Sequence, residues 1–131
     1  MSIISPPPIK ARELLGGQDA EYDKETGIGR IRYVPNEGLM NPVGTLLGGY
    51  LATMLDDVAG LATWYGCGER PFATAQMSTS FMRSATLEDM LVGEARVTSN
   101  GKRQAFIEAT VKRESDSKSV AAATLVQTFL D

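Results

Sequence analysis

The chain contains one long apolar segment, residues 41–68, which reads NPVGTLLGGYLATMLDDVAGLATWYGCG. It has no Lys, Arg or Glu, and its charges are two neighbouring carboxylates, Asp56 and Asp57. The segment predicts a buried helix from about Leu46 to Tyr65, closed by GCG at 66–68. A helix this apolar must be covered on nearly all sides, and its carboxylates are costly to bury unless they are paired or used.

The sequence on either side of this helix contains strand patterns, which predict a β-sheet that can cover the helix. Alternating apolar and polar residues indicate strands at 27–35, 74–83, 89–99, 103–114 and 119–130, with a hairpin at 100–102. We expect one domain over residues 1–131, with an N-terminal tail and short helix over 1–26 and a core over 27–131. The core is of the α+β class: a curved antiparallel β-sheet, ending in a four-stranded meander, wraps around one long central helix.

The composition excludes several classes of function. The 131 residues include no His and one Cys, Cys67. Without His, Ser-His-Asp and Cys-His catalysis are excluded and zinc or iron lacks its usual ligands, so we expect no metal. A net charge of −3 argues against nucleic-acid binding. The single cysteine and the lack of a signal-peptide pattern favour a cytoplasmic location, and the glycines in the apolar run argue against a membrane span.

Small residues dominate one face of the predicted helix. That face contains Gly49, Ala52, Thr53, Asp56, Ala59, Gly60 and Thr63. Asp56 lies near its middle, as a partly exposed helix charge or as a carboxylate in a tight cleft. Asp57 lies about 100° away and is interpreted as a carboxylate satisfied by backbone or by a neighbouring strand. The GTLLGG sequence at 44–49 adds free N–H groups and glycines at the helix start, which is typical of an oxyanion site.

The motif NPVGTLLGGYLATMLD, residues 41–56, resembles the signature of hotdog-fold acyl-CoA thioesterases of the phenylacetate-degradation type. That signature runs from Asn through Gly-Thr-Leu-His-Gly-Gly to an Asp in an apolar helix. ATAQMSTSFMRSA at 73–85 and NGKRQAFIEATV at 100–111 are similar to the family's next strand and hairpin. The resemblance covers about residues 28–130, and it implies the hotdog fold and hydrolysis of an acyl-CoA to a free acid and coenzyme A.

The resemblance also implies roles for four residues. Gly48 donates its backbone N–H to the thioester carbonyl, and Asn41 helps to hold that carbonyl. Asp56 activates water or attacks directly, and Thr74 assists the water. In such enzymes the site lies between two subunits of a homodimer or homotetramer, so Asn41 and Gly48 of one chain would face Asp56 and Thr74 of the other.

Further positions are candidates for binding the substrate. They are Gly49, Tyr50, Phe81, Arg83, Lys102 and Arg103. The three cations are proposed for the phosphates of coenzyme A, which a net-acidic protein can hold only with local positive charge. Tyr50, Met54, Trp64 and Phe81 could line a pocket for an aromatic or medium-length acyl group. No cofactor is expected apart from the coenzyme A of the substrate.

One residue departs from the family pattern, since Leu47 stands where the family has His. The Gly48 N–H survives this change, but the contacts of the imidazole are lost. A non-catalytic hotdog module that binds an acyl-CoA or fatty-acyl ligand is therefore the alternative to a thioesterase. A hotdog hydratase is disfavoured by the lack of His, and a purely structural protein would leave the small helix face to subunit packing alone.

Overall fold

The computed structural model describes residues 2–131. Within them the chain forms a seven-stranded antiparallel sheet, one long helix, one short helix and a single 3₁₀ turn. The strands are β1 (Ile3–Ile4), β2 (Gly17–Asp23), β3 (Ile28–Tyr33), β4 (Phe72–Phe81), β5 (Leu91–Asn100), β6 (Gln104–Arg113) and β7 (Ser119–Phe129). The helices are α1 (Lys10–Leu14) and α2 (Gly48–Gly66), and the 3₁₀ turn is Glu37–Leu39. No helix in the described range is long and apolar enough to cross a membrane.

The strand order differs from the expected meander. It is β1-β2-β3-β5-β6-β7-β4, so β4 pairs with β7 at one edge while β5 pairs with β3. The β5–β6 hairpin at 100–104 is as predicted, because three residues join the two strands tightly. Nine residues, 82–90, join β4 to β5, which is long enough to cross the end of the sheet. Apolar alternation defines the faces of these strands but not their partners, so the meander was wrong for β4.

The sheet also extends into the N-terminal region. The short helix predicted there is present as α1, but β1 and β2 lie in residues 1–26, where only a tail and a helix were expected. β2, GQDAEYD, buries only Tyr22 and carries a register shift between Gln18 and Glu21. A strand with one buried side chain and a bulge lacks the period-two pattern by which strands are recognised.

Helix α2 lies on the concave side of the open sheet, mainly against β5, β6 and β7. Two strand glycines allow its close approach. A Cβ on Gly29 would lie 3.3 Å from the amide nitrogen of Ala62, and one on Gly93 would lie 3.4 Å from Val58. The helix and the inward side chains of the sheet form one core. The predicted α+β architecture, a curved antiparallel sheet around one long helix, is confirmed.

The buried and open faces of α2 are not those that the helical wheel predicts. Ala59 and Thr63, assigned to the small-residue face, are fully buried within the chain. The stripe that stays open instead runs through Thr53, Asp56, Gly60 and Trp64. These residues follow i, i+3 or i+4 spacing, so they form one continuous line along the helix. Asp56 sits in the middle of this open stripe.

Candidate active site

The acid on the open stripe is bound to a hydroxyl of the edge strand. The Thr74 Oγ1 hydroxyl donates to Asp56 Oδ1 at 2.8 Å. The structure therefore brings together two of the four residues assigned to catalysis from the sequence. A carboxylate with one oxygen held in this way keeps the second free to accept a proton from water or to attack a carbonyl.

A β-bulge explains why Thr74 faces the helix. The pairing of β4 with β7 shifts between Thr74 and Gln76, so that Ala75 has no opposite residue. Thr74 lies opposite Gln127 and Met77 opposite Leu125, and these two residues of β7 face the core. The extra residue thus places both Thr74 and Met77 on the inner side of the strand. Bulges often re-aim side chains beside functional sites in this way.

The start of α2 presents unused backbone donors. The N-cap residue is Leu47, whose side chain cannot cap the helix and is 43% exposed. The amides of Leu47 and Tyr50 donate to the carbonyls of Leu39 and Leu47. No acceptor among residues 2–131 takes the N–H of Gly48 or Gly49. Two adjacent free amides at the positive end of a helix suit an oxygen that gains negative charge.

Asn41 organises the loop that precedes this helix start. Its Oδ1 accepts from the amides of Val43 at 3.1 Å and Thr45 at 3.0 Å, and its Nδ2 donates to Thr45 Oγ1 at 2.7 Å. The Asn41 amide donates to the Thr45 carbonyl at 2.8 Å. The side chain therefore holds the loop closed, and one N–H of its Nδ2 remains for a ligand.

The second carboxylate, Asp57, has a structural environment. Arg12 donates from Nε to Oδ2 at 3.2 Å and from Nη2 to Oδ1 at 3.1 Å, and both side chains are nearly buried. The Tyr33 hydroxyl donates to Oδ2 at 2.8 Å. Burial, followed by the nearby Asp57 carboxylate, raises the pKa of Tyr33 far above its usual range, so the hydroxyl stays a donor. The interpretation of Asp57 as a satisfied carboxylate is confirmed, since Tyr33 lies on neighbouring β3.

The two halves of the proposed site are apart within one chain. Gly48 and Asp56 are eight residues apart on the same helix, so they lie about 12 Å apart along its axis. One thioester carbonyl cannot contact both at that separation. A single chain therefore does not bring together the amide and the acid that the sequence assigned to one site.

The candidate cations are also divided. Arg83 lies just after the Phe81 end of β4, where its side chain donates to the Ser119 carbonyl. Arg103 lies at the other end of β4, because its carbonyl accepts from the amide of Phe129, which pairs with Phe72. Lys102 adjoins Arg103 in the β5–β6 hairpin. Ten strand residues separate these ends by about 30 Å.

The apolar candidates fall in three different places. Phe81 packs over the helix start, where its ring lies 3.6 Å from the Cβ position of Gly48. Tyr50 is half-buried against the core, and Met54 is fully buried in it rather than lining a pocket. Only Trp64, 37% exposed, lines the cavity beside Asp56 among these candidates within the described residues.

Sequence reasoning missed Arg12 and Gln127. Arg12 lies in a five-residue helix whose fold partner, Asp57, is 45 residues away, so no local pattern links them. Gln127 is a fully buried amide in β7 whose two polar atoms have no partner among residues 2–131. The sequence did contain a signal for it, because Gln127 interrupts an inward-facing row that is otherwise made of Ala, Leu and Phe. No cluster of three His, Cys, Asp or Glu in the described range could hold a metal ion.

Comparison with known proteins places this geometry in a family. Residues 43–120, more than half of the chain, match the sequence profile of the thioesterase superfamily. The chain belongs to the thioesterase superfamily. A phenylacetic acid degradation-related protein from Ralstonia eutropha, assigned as a thioesterase, is 31% identical with a TM-score of 0.83, covering 93% of this chain and 92% of that one. The predicted hotdog fold and the resemblance to thioesterases of the phenylacetate-degradation type are confirmed.

Two further relatives of this thioesterase-superfamily chain differ in how much of each chain the similarity covers. Human acyl-coenzyme A thioesterase 13 is 32% identical over 83 residues, which are 62% of this chain and 58% of the human protein. The chain thus spans little more than half the length of that relative. A Streptococcus mutans protein solved with acetyl-CoA is 24% identical with a TM-score of 0.74, covering 79% of this chain and 82% of that one, and supports the fold.

Proposed function

We propose that this protein is an acyl-CoA thioesterase, which hydrolyses a thioester to a free acid and coenzyme A. The observation that carries the proposal is the hydrogen bond from Thr74 to Asp56 on the open stripe of α2, in a chain of the thioesterase superfamily. A thioester is activated toward attack, so its hydrolysis requires a positioned water, a base and oxyanion donors. Carboxylate, hydroxyl and backbone amide supply these without His.

The proposed chemistry uses each of these groups once. The thioester carbonyl oxygen lies on the free Gly48 amide, with Gly49 beside it and the second Nδ2 hydrogen of Asn41 in support. Water held by Asp56 and Thr74 attacks the carbonyl carbon while Asp56 takes its proton. The tetrahedral intermediate collapses, the C–S bond breaks, and the proton passes to the departing thiolate. In the alternative route, Asp56 attacks the carbonyl itself and water then hydrolyses the resulting anhydride.

The site is proposed to form between two subunits, because Gly48 and Asp56 of one chain are about 12 Å apart along the helix axis. β4 is an edge strand of ten residues whose side chains are mostly exposed. Pairing of β4 with its copy around a two-fold axis would run the strands antiparallel and place the Phe81 end beside the partner's Phe72 end. The helix start of one chain would then approach Asp56 and Thr74 of the other, in a homodimer or a homotetramer.

The same arrangement would gather the divided cations. Arg83 at one end of β4 would lie near Lys102 and Arg103 of the second chain, at the other end. Three cations at one mouth suit the phosphates of coenzyme A on a protein of net charge −3. Tyr50 and Phe81, beside the helix start, would contact the pantetheine or acyl portion. We propose a cytoplasmic location on the basis of the single cysteine.

The test measures thiol release from a panel of acyl-CoAs by the wild type and by Asp56→Asn and Thr74→Val. We expect Asp56→Asn to lower kcat by about 10² or more, since it removes the base or nucleophile, and Thr74→Val to lower it by about tenfold. Asp116→Asn is the matched control, because Asp116 is an exposed acid paired with Arg113 in a turn. It should retain wild-type rates.

Two results would contradict the proposal. Equal rates for Asp56→Asn and the wild type would place the chemistry elsewhere. Absence of turnover on every thioester, together with micromolar binding of acyl-CoA, would favour the non-catalytic binding module, for which Leu47 in place of the family's His is the supporting feature.

A further inference from the structure

The open stripe of α2 continues past Asp56 into a cavity of about 380 Å³. α2 contributes Asp56, Gly60 and Trp64 to its lining, and β4 contributes Phe72. A Cβ on Gly60 would lie 3.5 Å from the Phe72 ring, so the glycine keeps the floor of the cavity open beside that ring. Past the carboxylate of Asp56, the cavity is bounded mainly by aromatic and aliphatic groups, and the paired Arg12 and Asp57 are the other charged residues in its lining.

The N-terminal segment, residues 5–12, forms the remaining wall. Four residues of this segment line the cavity: Pro6, Pro7, Ile9 and Arg12. Consecutive prolines restrict the chain to an extended, stiff conformation, so this wall has little freedom of its own. One side of the cavity is therefore formed by residues that are far from α2 in the sequence.

Both ends of this segment are fastened. At the beginning, β1 pairs with β2, and the Lys24 amide donates to the Ser2 carbonyl at 2.8 Å. At the end, Arg12 makes its two hydrogen bonds to Asp57 at 3.1 and 3.2 Å. Arg12 is 8% exposed, so this ion pair is screened little by solvent. The ion pair ties the wall to the helix residue next to the candidate catalytic acid.

We propose that the Arg12–Asp57 pair sets the acyl-group selectivity of the site by holding the N-terminal segment as a fixed wall of the acyl pocket. This rests on the proposed function, which places the thioester carbonyl beside Asp56. The cavity is at the small end of ligand pockets, and the fastened segment forms one of its walls. In this proposal it takes a compact apolar acyl group, and the fixed wall disfavours a long unbranched chain. Arg12 and Asp57 act through the wall and are positioning residues.

The test compares acyl-chain profiles, as kcat/KM on acyl-CoAs from acetyl to dodecanoyl, for the wild type and two wall variants. Arg12→Met with Asp57→Asn removes both charges together, which avoids leaving one buried and unpaired. Pro6→Gly, Pro7→Gly and Pro8→Gly loosen the wall and leave the ion pair intact. Arg113→Met with Asp116→Asn is the matched control, since that pair has the same two-hydrogen-bond geometry but is exposed and outside the cavity.

Both wall variants should raise the kcat/KM ratio of dodecanoyl-CoA to butanoyl-CoA by about tenfold or more, a discrimination typical of apolar pockets. The control pair should leave the ratio unchanged. A ratio left unchanged by the charge-free pair would overturn the proposal, whatever the proline variant does. If the charge-free pair does not fold, Arg12→Lys, which keeps the charge but loses the two-hydrogen-bond contact with Asp57, takes its place in the test.

A second readout separates this inference from the proposed function. Trp64 is the single tryptophan of the chain and lines the cavity, so its fluorescence reports occupancy without turnover. We would titrate non-hydrolysable S-alkyl-CoA thioethers of increasing length. If no thioester is hydrolysed but the wall variants bind longer thioethers than the wild type binds, the proposed function is wrong and the proposed role of the wall is supported. If thioesters are hydrolysed and all variants bind thioethers up to the same chain length, the proposed role of the wall is wrong and the proposed function is supported.

Discussion

Asp56 and Asp57 are neighbours in sequence with different surroundings in the fold. A step of about 100° around α2 turns Asp57 toward Arg12 and Tyr33 and leaves Asp56 on the open stripe, bound to Thr74. The identity of the two residues gives no hint of this division. The environment of each carboxylate, and not its type, separates a structural acid from a candidate catalytic one.

Gln127 should be a site where a substitution stabilises the protein. Its buried amide has no partner among residues 2–131, and an unsatisfied buried polar group is costly. We expect Gln127→Met, which is similar in shape, to raise the free energy of unfolding by about 1–2 kcal/mol in urea denaturation. Gln104→Met, an exposed change, is the control. A loss of stability in Gln127→Met would mean that the amide has a bound partner.

Cys67 should be unreactive in the native protein. The thiol is buried, and burial raises its pKa above the usual value despite the opposing charge of Arg70. A higher pKa keeps the thiol protonated at pH 8, whereas the thiolate is the reactive form. Titration with a chromogenic disulfide should give no signal from the folded chain and one thiol per chain in denaturant. Rapid labelling of the folded protein would contradict this.

The elements differ in how well the sequence specified them. Helix α2 was predicted within two residues of its start and one of its end, because its apolar run and GCG terminus are local signals. β4 was located, but its partner strand was not, because the path of residues 82–90 depends on tertiary contacts and not on the local sequence. β2 was missed because Tyr22 is its single buried side chain, which leaves no apolar alternation. The family resemblance had already placed Asp56 and Thr74 in one site. The contact of Arg12 with Asp57, 45 residues away, could be found only from the fold.

The contact between α2 and the sheet should be sensitive to a single methyl group. A Cβ on Gly93 would lie 3.0 Å from the Tyr33 ring and 3.4 Å from Val58, in a closely packed core. We expect Gly93→Ala to lower the free energy of unfolding by about 1–3 kcal/mol in chemical denaturation. Gly49→Ala is the contrasting change, because its Cβ would meet nothing within 4 Å, and it should not destabilise the fold. Equal effects of the two changes would refute this reading of the contact.

At the level of the whole molecule, the proposed active site requires a second copy of the chain. One chain carries every group that the proposed hydrolysis requires, but its helix-start amides and its acid lie too far apart to share one carbonyl. The exposed edge strand β4 and the cations divided between its two ends both fit a two-fold pairing. We propose that each active site combines Gly48 of one subunit with Asp56 of the other.

Two variants disable the two halves of this site separately. Asp56→Asn removes the acid. Gly48→Pro removes the amide N–H at the first helical position, where proline is well tolerated, and Leu47 before it already has the extended backbone that precedes proline (φ −62°, ψ 135°). Loss of an oxyanion donor should lower kcat by about 10²–10³, so each variant alone should be nearly inactive.

The most direct measurement is the thioesterase activity of a heterodimer of these two variants, co-expressed with different affinity tags and purified through both. One of its two sites would combine an intact Gly48 with an intact Asp56, so we expect about half of the wild-type activity per dimer. Activity as low as that of either parent variant would show that the Gly48 amide and the Asp56 carboxylate do not act across subunits, and would contradict the proposed shared site.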